Sequence, residues 1–127
     1  MDAGMTRMAL EELGGEDFDL VVLENVGNLI CPAEFDTGAG RCVMLLSVPE
    51  GDDKPLKYPL MFSVSDVLII TKTDVAPYFD FDVEACVRRA KKLNPDIRVL
   101  TVSSKTGEGF EAWEAWLSDQ VREWKKQ

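Results

Sequence analysis

Residues 67–77 read VLIITKTDVAP, an apolar run followed directly by Lys72 and Asp74. A carboxylate at the position of Asp74 can accept hydrogen bonds from the N1–H and the 2-amino group of guanine, and adenine offers no such donor pair. The aliphatic stem of Lys72 can lie over the plane of the base while its ammonium group reaches solvent. Because a Lys-x-Asp spacing often arises by chance, these residues alone also fit a solvated turn.

A second loop of compatible chemistry follows the next apolar run along the chain. It reads SSKTGEG, residues 103–109. The backbone N–H of Ser104 could bond the 6-oxo group of guanine, and Lys105 could flank the open side of the base. The two loops are separated by one predicted helix, and together they are far more specific than either motif. We predict a guanine-binding site with four residues: Lys72, Asp74, Ser104 and Lys105.

An E-x-x-G spacing, formed by Glu24 and Gly27, follows an earlier apolar run. A carboxylate there can hold Mg²⁺ through water, since Mg²⁺ keeps much of its hydration. A glycine three residues later lets a backbone N–H approach a γ-phosphate without interference from a side chain. The spacing fits a nucleotide-sensing switch, with Glu24 and Gly27 as its catalytic residues, and it fits a simple turn equally well.

Four short apolar runs must hold these loops in place. They show little alternation of apolar and polar residues, which is typical of strands buried on both faces of a parallel sheet. We predict strands at 18–23, 41–48, 66–71 and 97–102. Helical patterns at 5–13, 83–93 and from about 106–108 to 125 complete an α/β fold, in which ligands bind at the carboxyl ends of the strands.

The last predicted helix carries an apolar stripe. Its members are spaced as one face of a helix: Phe110, Trp113, Leu117, Val121 and Trp124. We interpret the tryptophans as core residues that pack against the sheet, because large aromatic side chains are mostly buried in globular proteins. A dedicated cofactor site on this helix is the less favoured interpretation.

The amino-acid composition disfavours or excludes several classes of function. The 127 residues carry 14 Lys and Arg against 23 Asp and Glu, a net charge of −9, which disfavours binding to nucleic acid or to anionic membranes. There is no histidine, so the chain cannot form a Ser-His or Cys-His nucleophile pair. Three cysteines without a C-x-x-C pair encode neither a disulfide framework nor a zinc knuckle. No signal peptide or spanning segment is evident, and we expect a cytoplasmic protein.

Four segments closely resemble the HypB family of GTPase accessory proteins, which help deliver nickel to NiFe-hydrogenase. They are ENVGNLICPAEFD, SVPEGDDKPLKYPLMF, ITKTD and VSSKTGEG, and the similarity runs from about residue 2 to residue 124. The segments ENVGN-x-x-CP and EGDDKPLKYP are specific to that family. The resemblance implies a P-loop GTPase-like fold with a mainly parallel sheet and flanking helices, in which residues 1–127 form a single partial G domain.

The resemblance also implies roles for the residues. GTP and Mg²⁺ are the implied cofactors, and Cys31 matches a cysteine that binds Ni²⁺ or Zn²⁺ in the family. Only three residues separate Gly27 from Cys31, so a switch movement would reach the metal directly. Nickel, the hydrogenase large subunit, other maturation proteins and a second copy of the chain are the implied partners.

The chain departs from the family pattern in three ways. It contains no G-x-x-x-x-G-K-S/T phosphate loop, and Thr71 stands where the base-reading motif usually has Asn. The Cys-His pair that completes the family's metal site is absent, and without the resemblance Cys31 would be interpreted as a small buried apolar residue. We therefore expect this chain alone to be inactive as a GTPase. Two alternatives are a non-catalytic dimerisation or partner-binding module and a UreG-like urease GTPase.

Overall fold

The computed structural model describes residues 3–24 and 38–126, and within them three parallel strands form one sheet. The strands are β1 (Val43–Ser47), β2 (Val67–Thr71) and β3 (Arg98–Thr101), in the spatial order β1-β2-β3. Val67 of the central strand lies opposite Val43 on one side and Arg98 on the other. Three of the four predicted strands are therefore confirmed: β1 and β3 are shorter than predicted at both ends, and β2 is shorter at its first residue only.

Five α-helices lie in the described residues. They are α1 (Ala3–Leu13), α2 (Lys54–Lys57), α3 (Pro59–Val64), α4 (Val83–Leu93) and α5 (Phe110–Lys125). Short 3₁₀ turns occupy Gly15–Asp17, Val48–Glu50 and Thr73–Tyr78. The last two lie directly beyond the carboxyl ends of β1 and β2, so backbone that changes direction sharply occupies the edge of the sheet where ligands bind in such folds.

The core has two halves, one on each face of the sheet. Met44, Leu46, Leu68 and Ile70 point to one face, where Phe62 of α3 and residues of α4 cover them. Val67, Ile69 and Leu100 point to the other face, against Trp116 of α5. Because β2 lies between two strands and two helical layers, all but the last of its residues are buried, as the absence of alternation predicts.

Helix α4 begins and ends at the predicted residues. The side chain of Asp82 accepts a hydrogen bond from the Ala85 N–H at 3.1 Å and so caps the first turn. Lys91 and Lys92 lie in the last turn, where the helix dipole favours positive charge. The Asn94 side chain then donates to the carbonyl oxygens of Phe62 and Ser65, at 3.2 and 2.8 Å, which fastens the end of α4 to α3.

The apolar stripe of α5 is confirmed at its start and wrong at its end. Phe110, Trp113 and Leu117 pack against the sheet, but Trp124 is 70% exposed and the buried Trp116 was not in the predicted stripe. Sixteen helical residues span about 24 Å, whereas a five-residue strand spans about 17 Å. The helix therefore extends past the sheet, and Trp124 has no sheet surface to cover.

The predicted strand at 18–23 is not formed. This segment has no assigned secondary structure, with a bend at Asp19, and its apolar side chains are exposed, for example Val22 at 76%. A strand is stable when its backbone N–H and C=O groups are paired, and within the described residues β1 pairs with β2 alone. Asp19 is instead tied to the end of α5 by an ion pair with Lys125 at 2.8 Å.

Among the residues that the structure describes, no helix has the length and apolar character needed to cross a membrane.

Candidate nucleotide-binding site

Two loops meet at the carboxyl edge of the sheet, one after β2 and one after β3. The Val102 N–H donates to the Ile70 carbonyl at 2.9 Å, which continues the pairing one residue beyond β3. The Thr73 N–H then donates back to the Val102 carbonyl at 3.3 Å. These two bonds hold the loops side by side where the strands end, as the sequence predicts for a base-reading site.

A buried serine connects the two loops through their side chains. Ser103 is fully buried, and its hydroxyl donates to Oδ1 of Asp74 at 2.8 Å. A carboxylate has about four acceptor sites, so this bond leaves Asp74 able to accept a further pair of donors. Sequence reasoning assigned a contact to Ser104 and missed Ser103. The available signal was its position directly after the apolar run, where a small hydroxyl can be buried and still reach the neighbouring loop.

The loop at 103–109 is closed by its own backbone. The Gly107 N–H donates to the Ser103 carbonyl at 2.8 Å, and the Ser103 N–H donates to the Glu108 carbonyl at 2.9 Å. Ser104 and Lys105 lie on the exposed outside of this loop. The Ser104 N–H donates to no acceptor among the described residues, so it is available for a ligand oxygen.

Lys72 adopts a left-handed backbone conformation, with φ 59° and ψ 37°. It is the one non-glycine residue in the described part of the chain with a positive φ. This conformation turns the chain sharply out of β2 into the 3₁₀ turn that carries Asp74, and it leaves the Lys72 side chain exposed. Strained backbone of this kind is concentrated at functional sites.

Gly109 sets the path from β3 into α5. Its φ is 83°, and an added Cβ would collide with the carbonyl oxygen of Thr101. The backbone of Gly109 thus passes directly over the end of β3, and only glycine fits both the conformation and the space. Gly107 has a similar φ of 81°, but its Cβ position faces open space.

The acidic loop after β1 is anchored by hydrogen bonds and ion pairs of its own carboxylates. Glu50 accepts from the Ser47 N–H at 2.7 Å and from the Ser47 hydroxyl at 2.9 Å, which closes a capping box. Asp53 pairs with Lys57 at 3.2 Å, and this hydrogen bond lowers the pKa of the Asp53 carboxyl. Asp52 reaches further, to the backbone and side chain of α4.

The two cysteines in the described residues both contribute to the core. Cys86 is fully buried, and burial, followed by the negative charge of Asp52, raises the pKa of its thiol to about 11. The thiol therefore stays neutral and packs as a small apolar group. Cys42 is partly buried at the start of β1, with its sulfur 3.7 Å from the Ser65 hydroxyl.

The switch and metal residues are less defined by this structure. Glu24 is exposed and lies outside any helix or strand, directly after segment 18–23. Gly27 and Cys31 lie outside the described residues. Within 3–24 and 38–126, no group of three or more His, Cys, Asp or Glu side chains is arranged to hold a metal ion.

Known proteins resemble this chain over most of its length. A family model described as CobW/HypB/UreG, nucleotide-binding domain, matches residues 1–101. The hydrogenase maturation factor HypB of Azotobacter chroococcum is 52% identical over 120 residues, which is 94% of this chain and 39% of that protein. HypB of Escherichia coli K12 is 45% identical over 120 residues, 94% of this chain and 41% of its own length.

Two solved structures have the same fold. HypB from Helicobacter pylori in complex with nickel superposes with a TM-score of 0.89 at 39% identity, covering 97% of this chain and 59% of that one. HypB from Archaeoglobus fulgidus superposes with a TM-score of 0.88 at 40% identity, covering 95% of this chain and 59% of the other. The chain spans about two fifths of the length of the Azotobacter chroococcum and Escherichia coli relatives and about three fifths of the two solved chains.

Proposed function

The chain belongs to the CobW/HypB/UreG family of nucleotide-binding domains, and we propose that its strand-end loops read the guanine base of GTP in a HypB-type maturation GTPase. The relatives at 45% and 52% identity are HypB hydrogenase maturation factors, which favours this role over that of a UreG-like urease GTPase. Because the chain spans only part of those relatives, the activity and partners of a whole HypB are extended to it as a proposal.

The hydrogen bond between Ser103 and Asp74 carries this proposal. It ties the side chain of the predicted base reader to the loop that presents the Ser104 N–H. Guanine requires both an acceptor for its N1–H and 2-amino donors and a donor for its 6-oxo group. Asp74 supplies the first and the Ser104 amide the second, while the exposed Lys72 and Lys105 can lie along the faces of the base.

Hydrolysis requires more than base recognition. The affinity and the catalysis of P-loop GTPases come largely from backbone amides, a lysine and an Mg²⁺ ligand that surround the phosphates. The 127 residues contain no G-x-x-x-x-G-K-S/T sequence. We propose that Glu24 and Gly27 act with such a loop, sensing Mg²⁺ and the γ-phosphate, and that residues 1–127 alone bind guanine nucleotides weakly and do not hydrolyse GTP.

Nickel is the proposed cargo. The Helicobacter pylori relative was solved in complex with nickel, and Cys31 is the thiolate that we propose as a ligand for Ni²⁺ or Zn²⁺. One thiolate does not complete a site, since closed sites of these metals have three or four ligands. We propose that Cys31 binds metal together with further ligands, in a homodimer or a larger chain, and passes it to a hydrogenase large subunit with other maturation proteins in the cytoplasm.

The decisive experiment changes the base reader. Asp74→Asn replaces an acceptor of guanine donors with a donor that suits the 2-oxo group of xanthine. The experiment uses a chimera of residues 1–127 with a segment that carries a G-x-x-x-x-G-K-S/T phosphate loop, titrated with GTP and xanthosine triphosphate. Loss of charge-assisted bonds should weaken GTP binding by roughly ten- to a hundredfold and favour the xanthine nucleotide.

Asp80→Asn is the matched control, because it removes the same charge from an exposed side chain on the same connection. It should leave both affinities unchanged. Equal GTP binding by Asp74→Asn and the parent chimera would remove Asp74 from the base site.

A further inference from the structure

Asp52 links the loop after β1 to the first residues of α4. Its Oδ2 accepts a hydrogen bond from the backbone N–H of Asp82 at 2.6 Å. Its Oδ1 and its own carbonyl oxygen both accept from Nη1 of Arg89, at 3.2 and 2.9 Å. One residue thus holds the cap of α4 and a side chain almost two turns further along the same helix.

The start of α4 is also the end of the guanine-reading loop. The 3₁₀ turn Thr73–Tyr78, which carries Asp74, leads through four residues into Val83. On the other side, the turn Val48–Glu50 lies against this same turn. The connection between β2 and α4 is therefore held at its entrance by the sheet and at its exit by Asp52.

The ion pair between Asp52 and Arg89 is more buried than an ordinary surface ion pair. The side chains of Asp52 and Arg89 are 22% and 34% exposed, whereas those of the neighbouring Asp53–Lys57 pair are 46% and 57% exposed. Partial burial strengthens hydrogen bonds between charged groups and reduces screening by salt. Asp52 also satisfies a backbone donor of α4, which a surface pair does not do.

We propose that Asp52 is a positioning residue for the guanine-reading loop. It fixes Asp82, the N-cap residue of α4, and thereby the path of residues 73–82, so that the Asp74 carboxylate is held where Ser103 and a guanine edge can both reach it. This inference rests on the proposed guanine recognition. It also implies that the acidic loop after β1 and the base-reading loop form one mechanical unit, because any shift of Asp52 moves the exit of the base loop.

Amide hydrogen exchange on residues 1–127 without nucleotide tests the mechanical part. Asp52→Asn keeps the shape of the side chain but leaves one acceptor oxygen for two donors. It should accelerate exchange of the amides at 73–82 by about three- to tenfold, with β2 and β3 unchanged. Asp53→Asn removes the same charge one residue away and should match the parent. The amides at 73–82 should exchange no faster in the double variant Asp52→Asn/Arg89→Gln than in Asp52→Asn, since the two substitutions disrupt the same connection.

Nuclear magnetic resonance titrations of the same proteins with GDP and IDP test the functional part. IDP lacks the 2-amino group, so the ratio of the two affinities reports the second bond to Asp74. Asp52→Asn should reduce the preference for GDP by about threefold or more, and Asp53→Asn should retain it. The positioning role would be overturned if the amides at 73–82 exchanged at the same rate in Asp52→Asn and Asp53→Asn. It would also be overturned if Asp52→Asn accelerated exchange in β2 and β3 as much as at 73–82. A parent protein that binds GDP and IDP alike would instead overturn the guanine assignment and leave the exchange result intact.

Discussion

The hydroxyl of Ser103 lies 2.8 Å from Oδ1 of Asp74, across a sequence separation of 29 residues. Ser103 has no exposed surface, so water does not reach the donor of this hydrogen bond. This bond orients the Asp74 carboxylate, which lies near the start of the 3₁₀ turn Thr73–Tyr78. The orientation of Asp74, the proposed base-reading residue, therefore depends on a neighbour that does not need to touch the base.

Removal of the Ser103 hydroxyl should weaken the binding of guanine nucleotides. In the chimera with a phosphate loop, we expect Ser103→Ala to lower the affinity for GDP by roughly three- to tenfold, because a hydrogen bond to a charged group typically contributes about 1.5–3 kcal/mol and only part of it acts on the ligand. Isothermal titration with GDP measures the loss. Ser104→Ala is the control: its proposed contact is a backbone N–H, so its affinity should stay at the parent value. Equal losses for both serines would contradict the assignment.

Gly109 and Gly107 should respond differently to the same change. Gly107→Ala should cost about 1–2 kcal/mol of unfolding free energy, because its positive φ strains any residue with a Cβ. Gly109→Ala adds a collision with the Thr101 carbonyl and should cost roughly 3–5 kcal/mol. Urea denaturation followed by tryptophan fluorescence gives both values. Similar costs at the two positions would show that the chain does not pass over the end of β3 as described.

The free energy of unfolding should decrease in alkaline solution because the buried thiol of Cys86 resists ionisation. In the unfolded chain this thiol loses its proton near its ordinary pKa of 9.0, whereas in the folded protein its pKa is about 11. Between these values the native state binds more protons than the unfolded state. The free energy of unfolding therefore decreases as pH rises, by at most about 1.4 kcal/mol per pH unit from this group.

Urea midpoints measured from pH 8 to pH 10.5 test this dependence. Cys86→Ala removes the titrating thiol and should show a shallower decline than the parent protein, whatever its absolute stability. Parallel curves for the two proteins would show that Cys86 ionises equally well in the folded state.

Metal binding by residues 1–127 should depend on Cys31. We expect Ni²⁺ to bind weakly, or only in a dimer that supplies a second Cys31, because one thiolate competes poorly with the hydration of the ion. Titration with Ni²⁺, combined with sedimentation at each metal concentration, separates the two cases. Cys31→Ser should abolish the binding, and Cys42→Ser, which removes a thiol from the start of β1, should preserve it. Tight binding that survives Cys31→Ser would place the site elsewhere.

The elements that the sequence predicts best are those with the strongest local signals. Helix α4 matches its prediction from Val83 to Leu93, because an Asp cap, a basic last turn and an Asn-Pro sequence mark both of its ends. Strands β1, β2 and β3 follow from continuous apolar runs of strand length. Asp74 and Ser104 come to one edge because parallel strands place their carboxyl ends together, so this part of the site is implied by the order of the motifs.

Other features depend on partners that are distant in sequence. Segment 18–23 is as apolar as the strands, yet it forms no strand. A strand needs a second strand beside it to pair its backbone N–H and C=O groups, and that neighbour is not encoded in the segment itself. Trp124 has the spacing of a core residue, but the sheet beneath α5 ends before it. Ser103 and Asp52 are polar residues in turn-rich segments. The position of Ser103 directly after an apolar run allows it to be buried, but no local feature names Asp74 as its partner or Arg89 as the partner of Asp52.

The sequence by itself therefore determined the α/β class and the order of the loops, and it predicts the chemistry of the proposed base-reading residues, since these follow from periodicity and side-chain type within short windows. Only the tertiary structure decided which acidic and hydroxyl groups hold those residues in place. Asp52 contacts Arg89 across 37 residues, and Ser103 contacts Asp74 across 29. Such bonds arise only after the strands have packed, because their geometry is a property of the folded backbone rather than of either sequence segment.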